Sequence, residues 1–184
     1  MPLNRYILKG TAVGALGGLL FGFDTAVISG TTQSLTALFH LTPGQLGVTV
    51  SSALAGTVIG AIFAGIPGEK FGSRETLRVL AVFYILSSLG CAFAANWMVL
   101  VAFRVLGGLA IGGSSVLCPV YISELAPARL RGRLAGAFQV NIVIGILLAY
   151  LSNALLSMAH LGPNLWRWEF GVAALPAILF FVML

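Results

Sequence analysis

The chain has 184 residues, of which 59% are hydrophobic and 8% are charged. A water-soluble domain carries roughly a quarter of its residues as charges, so this composition excludes one. The net charge of +5 comes from Lys and Arg residues that lie between apolar segments, without the basic stripe of a nucleic-acid-binding surface.

Six apolar segments follow one another along the chain, with lengths centred on the ~20 residues that a helix needs to cross a bilayer core of roughly 30 Å. None shows the alternating polar and apolar residues of a membrane β-strand, and backbone groups in lipid must be bonded internally. The sequence therefore predicts an all-α membrane protein, a single bundle over residues 1–184. The predicted spans are residues 9–30, 44–66, 77–95, 98–122, 135–157 and 169–184.

Basic residues between the predicted spans are distributed asymmetrically. Arg and Lys in short loops accumulate on the cytoplasmic side of a membrane. On the opposite side only Arg167 is basic, so both termini are predicted to be cytoplasmic. The residues on the basic side are Arg5, Lys9, Lys70, Arg74, Arg78, Arg129, Arg131 and Arg133.

Glycines recur at a spacing of four within three of the predicted spans. Small residues at this spacing allow helix backbones to approach closely in lipid, so tight helix packing is expected. These glycines are Gly14, Gly18 and Gly22 in the first span, Gly56 and Gly60 in the second, and Gly108 and Gly112 in the fourth.

Two charges lie inside apolar segments, Asp24 in the first and Arg104 in the fourth. Each is about six residues, roughly 9 Å, from the predicted outer end of its span, so the two can meet at one depth. One interpretation is a static ion pair that joins the two spans. The other is a proton switch, because burial disfavours the carboxylate once Arg104 moves away.

A second group of charges is predicted to lie on the cytoplasmic side. Glu69, Lys70 and Arg74 follow the second span, and Glu124, Arg129 and Arg131 follow the fourth. Because both segments carry both signs, the group is either a solvated face that sets the topology or a salt-bridge latch that closes the inner mouth of the bundle. Exposed pairs gain importance only as networks.

The polar residues and cysteines inside the spans show no arrangement typical of an enzyme active site. Gln139 and Asn141 near the start of the fifth span are expected from their spacing alone to hydrogen-bond neighbouring helices. Cys91 and Cys118 lie inside apolar segments without metal-type spacing, so no metal or other cofactor is predicted.

A long, ordered match then connects the chain to a known family. The sequence GGLLFGFDTAVISG, residues 17–30, resembles the first span of the sugar porter family in the major facilitator superfamily. Further landmarks in family order are RVLGG at 104–108, PVYISELAP at 119–127 followed by Arg131 and Gly132, Gln139 followed by Gly145, and WRW at 166–168.

The resemblance implies a fold and site roles. The six spans would form the amino-terminal bundle of a major facilitator fold, a 3+3 inverted repeat, in a transporter that works by alternating access. Asp24 matches the proton-coupling carboxylate of bacterial sugar symporters, and Arg104 matches its partner. Gln139 matches a sugar-binding glutamine and Phe21 an aromatic residue that lines the same site. By the same match, Glu69, Arg74, Glu124 and Arg131 form the inner charge network.

Three positions depart from the family pattern. Glu69 replaces an aspartate and Ser73 an arginine in the loop after the second span, which would loosen the inner latch. Ile146 stands where some members have a second sugar-binding glutamine.

The overall expectation is the amino-terminal half of a proton-coupled monosaccharide symporter in a bacterial inner membrane. Its partners would be the sugar, a proton, the lipid bilayer, and the missing carboxy-terminal six spans or a second copy of the chain. Two alternatives remain: a facilitative sugar uniporter in which the Asp24–Arg104 pair is structural, and a non-transporting sensor or assembly module.

Overall fold

The computed structural model describes residues 5–159 and 162–184, and the side chains of Arg5 and Lys9 lie outside its described part. The described residues form eight α-helices and one short 3₁₀ turn at Gly162–Asn164. The helices are α1 (Arg5–Phe39), α2 (Pro43–Phe63), α3 (Gly65–Phe71), α4 (Ser73–Ala92), α5 (Trp97–Leu125), α6 (Arg131–Met158), α7 (Leu165–Val172) and α8 (Ala174–Met183).

Six of the helical segments are long and apolar enough to cross a membrane, which confirms the predicted all-α membrane fold. They are called spans 1 to 6 below. Spans 1 to 5 correspond to α1, α2, α4, α5 and α6, and span 6 consists of α7 and α8 together. Two polar residues fix helix starts: the Thr42 side chain accepts from the backbone of Gln45 before span 2, and Asn96 accepts from Val99 before span 4.

Span 1 is longer than the sequence predicted. Residues 31–43 were expected to form a loop after Gly30, but the helix continues to Phe39. The extra turns are rich in threonine, whose hydroxyls donate back to carbonyls of their own helix and so reduce the cost of polar groups in a packed segment. These bonds join Thr31 to Ile28, Thr32 to Ser29 and Thr36 to Thr32.

The spans pack in a pattern that repeats after the third. Span 1 packs chiefly against span 5, and span 2 packs chiefly against span 4. If spans 1, 2 and 3 correspond to spans 4, 5 and 6, the contact between spans 1 and 5 corresponds to the contact between spans 4 and 2. A 3+3 repeat produces this pairing. The repeat therefore places spans 1 and 4 at the centre of the bundle, where Asp24 and Arg104 are carried.

The glycine repeats lie at the two main helix contacts, as predicted. A Cβ on Gly18 or Gly22 would collide with backbone carbonyls of span 5, and one on Gly56 or Gly60 would collide with those of span 4. Spans that approach this closely gain contacts along their whole backbones, which is a main source of helix association in lipid.

Span 6 supplies the largest buried aromatic side chains. Trp166, Phe170 and Phe180 are each at most 2% exposed. Phe170 lies in α7 and brings its ring beneath the Arg104 guanidinium, 5.6 Å from its central carbon. Span 6 thus packs against the buried Arg104 guanidinium through this ring.

Candidate proton and sugar site

Asp24 of span 1 and Arg104 of span 4 lie side by side in the structure. Arg104 Nη1 is 3.3 Å from Asp24 Oδ1 and 3.4 Å from Oδ2. The side chain of Arg104 is 4% exposed and that of Asp24 is 16% exposed. The depth estimate from the sequence therefore brought the correct partners together, although span 1 ends well beyond the residue from which depth was counted.

The contact is weaker than a forked arginine–carboxylate pair. Both distances exceed the ~2.7–2.9 Å of a strong charge-assisted bond, and only one guanidinium nitrogen takes part. Arg104 Nε is buried and has no hydrogen-bond partner among the described residues. The ring of Phe170 adds a cation–π contact but accepts no conventional hydrogen bond. Arg104 therefore contacts both Asp24 and Phe170, and its bond to Asp24 is longer than a strong charge-assisted hydrogen bond.

A cavity of about 170 Å³ opens beside the pair, between spans 1, 2 and 4. Asp24 and Arg104 both line it, together with Phe21, which lies one helical turn below Asp24. The carboxylate is the more exposed member of the pair, so it is the group that water or a proton reaches first. The remaining lining residues are Thr25, Ile28, Val50, Ala53, Leu54, Thr57 and Ile111.

Gln139 is not part of this cavity. Its side chain is exposed on span 5, toward the basic end of the bundle. Asn141, two residues further along, donates to the Ala137 carbonyl of its own helix at 2.9 Å. The structure therefore brings Phe21 to the Asp24–Arg104 pair and leaves Gln139 available on the open face of span 5.

The inner charge group is assembled only in part. Among the described residues, ion pairs form between Arg104 and Asp24 and between Arg78 and Glu75, and none joins Glu69, Arg74, Glu124 and Arg131 to one another. Glu124 instead accepts a hydrogen bond of 2.9 Å from the Ser73 hydroxyl. Arg131 Nε donates to the Ala126 carbonyl at 3.2 Å, and Arg74 Nε donates to the Leu184 carbonyl.

Sequence reasoning missed one buried polar cluster. Glu169 was taken as the boundary of the sixth span, but the helix begins at Leu165 and Glu169 is 1% exposed. Asn153 of span 5 lies beside it, and both approach Gly30 of span 1. The sequence signal for this cluster is Glu169 itself, which follows Trp166 by one turn at the start of an apolar segment.

A six-span helical bundle with an internal repeat, a central ion pair and a cavity beside it is the architecture of a membrane transporter half. Residues 10–184 match the family described as "Sugar (and other) transporter". The chain therefore belongs to the sugar porter family of the major facilitator superfamily.

Individual relatives agree with this family. The chain is 41% identical over 169 residues to the D-xylose transporter of Levilactobacillus brevis, covering 92% of this chain and 36% of that protein. It is 36% identical over 211 residues to the D-xylose-proton symporter of Escherichia coli K12, covering 98% of this chain and 43% of that protein. A partially occluded inward-open structure of the xylose transporter XylE from E. coli superposes with a TM-score of 0.91 at 36% identity, over 97% of this chain and 49% of that chain. The chain thus spans less than half the length of these relatives.

Proposed function

We propose that the chain is the amino-terminal half of a proton-coupled symporter for a monosaccharide, in which Asp24 takes up and releases the proton. The observation that carries the proposal is the breakable Asp24–Arg104 pair at the edge of a cavity. Relatives named as a D-xylose transporter and a D-xylose-proton symporter support the sugar class and the coupling.

The geometry supports a sequence of events at the pair. With Asp24 ionised, its bond to Arg104 holds spans 1 and 4 together. When a proton from the cavity neutralises Asp24, this attraction is lost, and Arg104 stays fixed on Phe170. Span 1 is then free to move relative to span 4, which is the kind of motion that alternating access requires.

Phe21 and Gln139 are proposed to contact the sugar. Phe21 lines the cavity from span 1 and offers a flat apolar face, while the exposed amide of Gln139 offers donors and an acceptor for sugar hydroxyls. The open face of span 5 would meet a second six-span half, which is either the carboxy-terminal half of the same protein or a second copy of this chain.

We further propose a location and an orientation. The protein would lie in the cell membrane with the basic end of the bundle in the cytoplasm, because Arg129, Arg131 and Arg133 lie together at the start of span 5. A cysteine introduced at Gly132 should react with an impermeant maleimide only after cells are opened. One introduced at Thr42 should react in intact cells. Reaction of Gly132→Cys in intact cells would contradict this orientation.

The inner charge group would act as a latch in another conformation. Glu69, Arg74, Glu124 and Arg131 all have exposed side chains and lie at the same end of the bundle. Movement of spans 2 to 5 toward one another would bring opposite charges together. Cross-linking of cysteines at Glu69 and Arg131 should then increase in an outward-facing state, and equal cross-linking in both states would contradict the latch.

The sugar site is tested by counterflow of radiolabelled D-xylose and D-glucose into proteoliposomes that contain the transporter. Phe21→Ala and Gln139→Leu should each reduce counterflow at low sugar concentration, with partial recovery at high concentration. Val140→Leu, next to Gln139 on an exposed position, is the matched control and should behave like the unmodified protein. Counterflow of amino acids but not of sugars would refute the proposed substrate class.

A further inference from the structure

A second acidic side chain is buried in the bundle, apart from the Asp24–Arg104 pair. Glu169 in α7 is 1% exposed, and its Oε2 has no hydrogen-bond partner among the described residues. It lies toward the end of the bundle opposite the basic residues, where spans 1, 5 and 6 meet. A buried carboxylate needs a cation or several donors, so the surroundings of Glu169 decide its charge.

Among the residues whose side chains the structure describes, no cation pairs with Glu169. The nearest in sequence, Arg167, donates to the carbonyls of Ala92 and Ala94 at 2.9 and 3.3 Å and stacks over the Trp166 ring. Arg104 is bonded to Asp24 and stacked on Phe170. Either guanidinium would have to give up its present contacts to reach Glu169.

The polar neighbour of Glu169 is Asn153, whose amide oxygen receives no hydrogen bond from the described residues. Asn153 is 8% exposed and donates through Nδ2 to the Val27 carbonyl of span 1 at 3.3 Å, which leaves its Oδ1 without a partner. Reversing the amide would set its oxygen against the Val27 carbonyl oxygen. The cluster thus holds two unsatisfied oxygens, Glu169 Oε2 and Asn153 Oδ1, and the buried indole N–H of Trp166 bonds to neither.

Gly30 shows how closely the three spans meet here. A Cβ on Gly30 would collide with both Glu169 Oε1 and Asn153 Nδ2. The Glu169 carboxyl and the Asn153 amide therefore meet beside Gly30, in the space that a side chain at this position would occupy. One added proton on Glu169 would create the O–H donor that the two unsatisfied oxygens lack.

We propose that Glu169 is a second protonation site, held as a neutral carboxylic acid that hydrogen-bonds Asn153 and locks spans 1, 5 and 6 together. Ionisation leaves a charge without a cation between these spans and drives them apart at this end of the bundle. The contacts of Glu169 are distinct from those of Asp24, so this proposal does not depend on the proposed proton coupling at Asp24.

Among the described side chains, the other titratable and charged groups of the elements around α7 are paired, exposed or distant from Glu169. Span 1 contributes Asp24, which is paired, and His40, which is exposed at its outer end. Span 5 contributes Tyr150, which is 54% exposed, and the exposed Arg131 and Arg133 at its far, basic end. Span 3 contributes the buried Tyr84 and Cys91. Its charged residues lie at the far, basic end and are Arg74, Glu75 and Arg78.

Infrared spectroscopy of the full chain in lipid nanodiscs at neutral pH tests the proposal. A protonated carboxyl has a carbonyl stretch that an ionised one lacks. We expect such a band in the unmodified protein, its loss in Glu169→Gln, and its retention in Glu75→Gln, whose carboxylate is exposed and paired with Arg78. A band that survives in Glu169→Gln, or no band in the unmodified protein, would overturn the proposal.

Asn153→Ala provides a second readout that does not require Glu169 to be changed. Removing the acceptor should shift the Glu169 carbonyl band to higher frequency without abolishing it, because the acid loses its hydrogen-bond partner. An unshifted band in this variant would show that Glu169 does not bond Asn153 and would overturn the lock. This measurement also decides the matter if Glu169→Gln fails to fold.

Discussion

Separating the charges of the Asp24–Arg104 pair should cost less than breaking an ideal buried salt bridge. At 3.3 Å and an effective dielectric constant of about 20, the attraction is roughly 5 kcal/mol, and the desolvation of Arg104 offsets much of it. Since the contact is long and uses one guanidinium nitrogen, we expect a coupling free energy of about 1–2 kcal/mol.

The two single variants of this pair should lose different amounts of the free energy of unfolding. Asp24→Asn leaves Arg104 buried at 4% exposure without its carboxylate, so the free energy of unfolding should fall by about 3 kcal/mol. Arg104→Gln leaves a carboxylate that borders the cavity and can be hydrated or protonated there, so the loss should be smaller, about 1–2 kcal/mol.

A double-mutant cycle measures these values. Reversible unfolding of the unmodified protein, Asp24→Asn, Arg104→Gln and the double variant in mixed micelles gives the coupling free energy directly. The double variant should be more stable than the sum of the single losses predicts, by about 1–2 kcal/mol. Additive losses would mean that the two side chains do not interact, and the account of the site would then be wrong.

Three further predictions concern the rest of the bundle. Gly22→Leu should prevent close packing of spans 1 and 5 and lower the yield of folded protein severalfold, whereas Gly136→Leu, with no atom near its Cβ position, should not; equal yields would refute the packing argument. Ser73→Ala should lower the free energy of unfolding by about 1 kcal/mol through loss of the Glu124 bond, and Ser73→Thr should restore it; an unchanged midpoint in the alanine variant would show that the bond contributes nothing. Arg167→Lys cannot bridge two carbonyls and stack on an indole at once, so its thermal midpoint should fall by several degrees, and an unaltered midpoint would contradict a bridging role.

The sequence was sufficient to predict the spans and the central pair because lipid allows few alternatives. An apolar segment of about 20 residues has to be helical, and a charge inside it needs a partner at the same depth. These two constraints identified Asp24 and Arg104 without the structure. The end of span 1 could not be predicted in this way, because threonine hydroxyls that bond their own helix continue it past the apolar segment to Phe39.

Contacts between residues distant in sequence were harder to predict. Glu169 looks like a span boundary in the sequence, and only the packing of spans 1 and 5 around it, with Gly30 leaving space, makes it buried. Ser73 was read as the loss of a charge from the inner group. The structure shows that its hydroxyl donates a hydrogen bond to the Glu124 carboxylate, so Ser73 still contacts the inner charge group.

We propose that Asp24 carries the coupled proton, and sugar-driven proton uptake distinguishes this role from a purely structural one. Proteoliposomes containing the transporter and an internal pH dye should acidify when sugar is added outside. Asp24→Asn should abolish this acidification while sugar counterflow continues, and Glu75→Gln, which removes an exposed carboxylate paired with Arg78, should leave both intact. Undiminished sugar-driven acidification in Asp24→Asn would contradict the account.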